Sequence, residues 1–191
     1  MSGNGAAVVR VILQRVDEGD KKKAIAKSNE SSSGGGARDL RFRPETEFLP
    51  VFQRMFPHKS TKTRKSRKVK GATSQIEVLS GTVAWHEPTG QKSATMEVWP
   101  ATDARKNECR IARISSLAID GLIEKDPNGG RSVLMLFQQA NGDIWLYFTT
   151  ETSLLTQNWD PTIKKFAQDW FDDGCKSAFL DLATKEQYPH V

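Results

Sequence analysis

Residues 104 to 113, Ala-Arg-Lys-Asn-Glu-Cys-Arg-Ile-Ala-Arg, pack basic, amide and acidic side chains together at the entrance to a strand predicted over Arg110 to Ile114. In an extended chain Glu108 and Arg110 project to the same side. That pairing has a use in duplex DNA: arginine donates twice to guanine O6 and N7, and a carboxylate accepts from cytosine N4. An acid in such a place is informative, because a purely electrostatic binder gains nothing from a carboxylate near phosphates. Asn107, Lys106 and Arg105 flank the pair and extend the candidate base-reading set. Both Glu108 and Arg110 are expected to be exposed in the free protein. The same composition also suits a solvated surface turn with local ion pairs.

A second mixed segment runs from Lys27-Ser28-Asn29-Glu30 through Gly34-Gly35-Gly36 to Arg38, Asp39 and Arg41. Glycines there would let the backbone approach phosphates or base edges closely. Asn29, Glu30, Arg38 and Asp39 are the candidate base readers of this segment, and Lys23, Lys27 and Arg41 its candidate phosphate contacts. A flexible linker is the other meaning of such a run, and no Gly-Lys-Ser/Thr follows to make a Walker loop. The third segment, His58 to Gly71, has Lys or Arg at 59, 62, 64, 65, 67, 68 and 70 and no acid. Its interleaved Ser and Thr can add hydroxyl contacts to phosphate oxygens. Lys62, Arg64, Lys65, Arg67 and Lys68 are its phosphate candidates, as a basic loop supplying affinity without specificity; a bystander solvated loop has the same composition.

Catalytic constellations are not evident. His58, His86 and His190 sit apart in the sequence, and Asp20-Lys21-Lys22 has Asp-x-Lys spacing without a suitable strand carboxylate upstream. Cys109 and Cys175 make no Cys-x-x-Cys or Cys/His cluster, so neither a disulfide scaffold nor a metal site is expected. No cofactor is implied. The Trp residues fall mainly at positions expected to face a core.

The elements that must position these segments follow from periodicity. Val8 to Val16 is β-branched and reads as a strand, and Leu40-Arg41-Phe42-Arg43 alternates apolar and basic as a half-exposed strand does. Phe48, Val51, Phe52 and Met55 recur at helical spacing within Glu45 to Phe56, with Pro50 expected to delay or kink that helix. Gln75 to Ala84, Ala94 to Trp99, Ser132 to Gln138 and Asp143 to Thr150 read as strands, the last two joined by an Asn141-Gly142 hairpin turn. Asp160-Pro161 caps and opens a helix carrying Ile163, Phe166, Ala167, Trp170 and Phe171, which stops at Gly174. Lys176 to Lys185 is read as a short second amphipathic segment. The expected fold class is α+β: an open β-pseudobarrel of about six to eight short strands, with one early helix and C-terminal helices.

Composition sets the outer bounds. The 191 residues suit one domain over 1 to 191, and Lys+Arg 28 against Asp+Glu 23 leaves a net charge of +5. The longest apolar run, Val133 to Phe137, is a strand's length, and the amino terminus carries no secretory pattern. A cytoplasmic, reduced, metal-free protein is the economical reading, with no membrane and no small-molecule substrate as partner.

The order of these features resembles the N-terminal effector domain of EcoRII-type restriction endonucleases, a DNA-binding pseudobarrel related to the plant B-three domain. Three stretches carry the likeness: Ser33-Gly34-Gly35-Gly36 running into Leu40-Arg41-Phe42-Arg43-Pro44 and a helix ending at Met55-Phe56-Pro57; Lys106 to Arg113; and Val133 to Phe137 paired with Ile144 to Phe148. It covers roughly residues 8 to 173. The resemblance implies two arms that grip the major groove, an N-arm at about 23 to 39 and a C-arm at about 101 to 113. It places Glu108 and Arg110 on the family's base-reading acid and arginine. It also implies recognition of a CCWGG-like double-stranded site, no catalysis by this chain itself, and a covalently linked nuclease domain toward which residues 176 to 191 would lead. Cys109 stands where the family would have a lysine, and Ala37 where it would have an imidazole. A stand-alone DNA-binding regulator on the same fold is the alternative.

Overall fold

The computed structural model describes residues 6–17, 20, 39–65, 71–102, 106–112 and 131–189. Strand β1 (Val8–Val16) is covered on both faces, which is why its sequence is nearly continuous in apolar residues. Ile12 and Val16 point into one hydrophobic cluster, while Val11 and Leu13 point into a second on the opposite face.

The first cluster is the concave side of a strongly curled sheet. It is filled by helix α1 (Glu45–Met55), whose Phe48, Val51, Phe52 and Met55 are all fully buried. Glu45 and Glu47 lie in the first turn and Arg54 in the last, each matching the helix dipole. The helix starts at Glu45 despite Pro50, so the expected late start does not occur. Pro50 is exposed, on the side where the carbonyl it leaves without a donor can be hydrated.

The other described elements are β2 (Leu40–Phe42), β3 (His58–Lys65), β4 (Thr73–Glu87), β5 (Gly90–Trp99), β6 (Cys109–Ala112), β7 (Ser132–Gln139), β8 (Ile144–Thr150), α2 (Glu151–Thr156), α3 (Pro161–Asp173), β9 (Ser177–Asp181) and β10 (Glu186–Tyr188). They form one 10-stranded sheet in the order β10-β9-β1-β7-β8-β4-β5-β6-β2, with β3 added to β4. All pairings are antiparallel except β4 with β8, where Val83 and Ala84 run parallel to Ile144 and Trp145. The result is mixed α+β, mostly strands: a curled, half-barrel sheet with an early helix inside and later helices outside. Against the expected six to eight strands the described residues hold ten, because β3, β9 and β10 were not read as strands.

Helix α1 spans the opening between the two sheet edges. Phe48 packs its ring 5.5 Å from Phe42 of β2 and 5.5 Å from Tyr188 of β10. At the helix end Phe56 lies over Gly81 of β4, where even a methyl group would come within 3.0 Å of the ring. On the convex face α3 buries Ile163, Phe166, Ala167, Trp170 and Phe171 against β1, β7 and β9. Asp160 accepts from the Thr162 amide at 2.8 Å, and Gly174 closes the helix at φ 81°. Arg15 of β1 donates to the Trp170 and Phe171 carbonyls at 3.3 and 2.9 Å and holds that last turn.

Two readings need correction. Lys176 to Lys185 is not an amphipathic helix: Ser177–Asp181 is a strand between β1 and β10, buried at every position. A strand covered on both faces shows no alternation, so a run this short cannot be told from a helix by period. His58 to Lys65 is not a loop but a strand paired residue by residue with β4 from His58↔Ser80 to Lys65↔Thr73. Its charges hid the extended conformation, since an edge strand tolerates lysine on either face.

Candidate nucleic-acid interface

β2 and β6 pair antiparallel, setting Leu40 against Ile111, Arg41 against Arg110 and Phe42 against Cys109. Because β strands alternate, Leu40, Phe42, Cys109 and Ile111 fill the concave core while Arg41 and Arg110 share the convex face. Two segments some seventy residues apart in sequence are thereby brought side by side.

Glu108 does not project into solvent as expected. Only 2% of the residue is exposed, since two arginines from the β2 side cover it. Arg43 donates to Oε2 through Nε at 3.0 Å and through Nη2 as well, and the Arg41 Nε is 3.5 Å from Oε1. The guanidinium side chains are themselves 65% and 44% exposed. What solvent meets is cationic, with the carboxylate underneath holding both heads. The alternation in Leu40-Arg41-Phe42-Arg43 already puts Arg43 beside Arg41, and this was the signal for a residue the sequence reading left out.

Arg110 is also more enclosed than expected, its side chain 11% exposed. Its Nε lies 3.4 Å from Asp39 Oδ2, and its guanidinium carbon sits 5.4 Å from the centre of the Trp99 ring. Trp99 faces it directly across β5 and β6. Lys106 and Asn107 are exposed, and Asn107 adopts a left-handed φ of 57°. From there its Oδ1 accepts the Glu45 amide at 3.3 Å, while Glu45 Oε1 accepts the Ala101 amide at 2.5 Å. Pro44 at the start of α1 has no side chain able to do this, so Asn107 from the turn before β6 caps the helix. Cys109 lies in the core, and burial pushes its thiol well above the usual range, leaving it neutral.

Of the sequence candidates, Arg41, Asp39, Glu108 and Arg110 form this cluster, Lys106 and Asn107 lie on the exposed turn before β6, and Lys62 and Arg64 lie on β3. Arg105, Asn29, Glu30, Arg38, Lys23, Lys27, Arg67 and Lys68 lie outside the described residues, as does the Lys65 side chain. Asp20, the acid of the Asp-x-Lys spacing, is buried and sits 2.7 Å from the Lys176 Nζ. Burial pulls Lys176 down, but hydrogen bonds to Asp20 and Asp17 outweigh it and raise the ammonium above its ordinary value. A cleft of ≈ 330 Å³ lined by Arg41, Arg43, Lys176, Ser177 and Tyr188 joins this ion pair to the arginines.

Among the described residues no group of three or more His, Cys, Asp or Glu converges as a metal site would, and no helix is long and apolar enough to cross a membrane. His86 stacks on Trp145 at 5.0 Å, away from the arginine cluster. No family model matches the sequence, and neither does any curated protein.

Proposed function

We propose that this chain binds double-stranded DNA at a specific short site, as the target-recognition domain of a type II restriction endonuclease of the EcoRII kind. The observation that supports it is the meeting of Asp39, Arg41 and Arg43 with Glu108 and Arg110 on one convex face. These residues belong to or border the two segments that the resemblance makes into DNA-gripping arms. Arg110 has the planar fork that guanine O6 and N7 accept, and stacking on Trp99 limits its conformations. Arg41 and Arg43 offer exposed guanidinium donors suited to phosphate oxygens.

The buried carboxylate refines the role of Glu108. In the free chain it positions Arg41 and Arg43. Phosphates compete for those two cations, and Glu108 accepts from cytosine N4 once they have moved to the backbone. A CCWGG-like sequence is the site that the resemblance implies. The test is affinity for such a duplex and for a scrambled one at a single salt concentration. Equal binding to both excludes site-specific recognition.

A stand-alone regulator using the same face is the second reading. A chromosomal reading frame continuing past residue 191 into a metal-dependent nuclease motif separates the two. Incubation of this chain with plasmid and magnesium separates both from an enzyme that cleaves by itself.

A further inference from the structure

β5 pairs with β4 only from Leu79 onward, so among the described residues the outer part of β3–β4 has no third strand. The pairs Ser60↔Val78, Thr61↔Glu77, Lys62↔Ile76, Thr63↔Gln75, Arg64↔Ser74 and Lys65↔Thr73 form a two-stranded ribbon about 20 Å long. Thr61, Thr63, Thr73, Ser74, Gln75 and Glu77 are exposed. Val78 at its base is fully buried, while the outer pairs carry mainly exposed polar and charged side chains.

Cations outnumber acids along the ribbon, with Glu77 the acid on its β4 side. Lys59 meets Glu77 at 3.0 Å and Lys62 meets Glu97 at 2.9 Å, while no acid pairs with Arg64 among the described residues. The Lys62–Glu97 contact also fixes which way the ribbon faces. Glu97 lies opposite Ala112 of β6, two residues from Trp99 opposite Arg110. Lys62 and Arg64 therefore project on the same convex face as Arg110 and Arg41, and helices α2 and α3 pack elsewhere, against β1, β7 and β9. Three strand spacings separate β6 from β3, and the ribbon then extends along the strands. Its outer end is on the order of 20 Å or more from Arg110, beyond the roughly 17 Å that five base pairs occupy.

We propose that the β3–β4 ribbon is a separate DNA arm that holds the phosphate backbone flanking the recognised base pairs. It rests on the reading above that the partner is duplex DNA. Lys62 and Arg64, with Ser60 and Ser74 on the same face of the ribbon, supply ammonium, guanidinium and hydroxyl donors without any fixed pattern of base readers. The arm sets affinity and footprint, and leaves the choice of sequence to the Arg110 region.

The experiment uses the full chain and duplexes carrying one CCWGG site with flanks of 2, 6 and 10 base pairs. Wild-type affinity should rise severalfold from the shortest to the longest. The double variant Lys62→Gln, Arg64→Gln should lose that rise and lower the salt slope by about two units, with an unchanged ratio of cognate to scrambled binding. Melting curves confirm that the variant is folded; if it is not, the single variant Arg64→Gln, expected to lower the slope by about one, decides. A control with Lys164→Gln and Lys185→Gln removes the same charge from other surfaces. A wild-type affinity independent of flank length, or an equal fall in slope for the control, overturns the arm while leaving site recognition standing. Competition by structured RNA equal to that by duplex DNA also overturns it, in favour of an RNA-binding ribbon. Absence of any duplex binding by the wild type overturns the functional reading itself.

Discussion

Glu108 and Arg43 are joined across the β2–β6 boundary, with the Arg43 Nε 3.0 Å from a carboxylate that is almost wholly removed from water. The pair ties the segment after β2 to the segment before β6. A buried carboxylate left without its cations, or cations left without it, costs more than an exposed pair does.

Glu108→Gln should therefore lower stability, although an acid placed purely for base reading would be neutral. The loss of charge-assisted hydrogen bonds is expected to cost about 1–3 kcal/mol, discounted because both arginines remain partly hydrated. For a chain of this size that is a fall of several degrees in melting temperature. An unchanged melting curve would mean that the Arg41 and Arg43 contacts do not persist in solution.

Arg110→Ala should weaken binding to the cognate duplex by about 1–3 kcal/mol and hardly affect random DNA. Arg110→Lys should not restore it, because an ammonium offers neither the bidentate fork nor the flat face that lies over Trp99. Titration of both variants against cognate and scrambled duplexes is the measurement. Recovery by lysine would reduce Arg110 to a point charge.

Asn107 is expected to be more sensitive to Ala than to Gly. Both changes remove the acceptor for the Glu45 amide, costing about 0.5–2 kcal/mol if it acts as a helix cap does. Ala additionally meets the left-handed backbone at φ 57°, worth about 1 kcal/mol more. Chemical denaturation of the two variants checks the order, and equal stabilities would argue against the strained turn.

Asp181 gives the pH dependence. It accepts from Arg10 Nε at 2.9 Å and is 2.8 Å from Arg54 Nε, so it ties β9 to β1 and to helix α1. Burial pushes its carboxyl up, but the hydrogen bonds from Arg10 and the Thr184 amide and the charges of Arg10 and Arg54 outweigh that and hold it below the ordinary 3.8. A lowered folded-state value means that the stabilisation is fully present above the unfolded value and disappears as pH falls through the folded one. The gap in unfolding free energy between wild type and Asp181→Asn should be constant above about pH 5 and narrow below the usual carboxylate range. A gap that does not change down to pH 2 would show that the carboxylate is not held by these cations.

Much of this chain was legible from local pattern. β1, α1, the β7–β8 hairpin and α3 each carry a period, a turn or a cap within a few residues, and Asp160-Pro161 and Gly174 mark α3 at both ends. The clustering of acid, amide and arginine from Lys106 to Arg110 was equally visible, because residue type and alternation are properties of the chain alone. Burial of Glu108 was not. It depends on Arg41 and Arg43, sixty-five residues away for the latter, and no periodicity reports which distant cations will fold over a carboxylate. The strands β9 and β3 were missed for opposite reasons: one is covered on both faces and has no alternation, the other is charged along an uncovered edge. Sequence determined where acid, amide and arginine side chains cluster along the chain. Long-range strand pairing decided which of them solvent can reach, since Coulomb attraction and desolvation are set by distance in space and not along the chain.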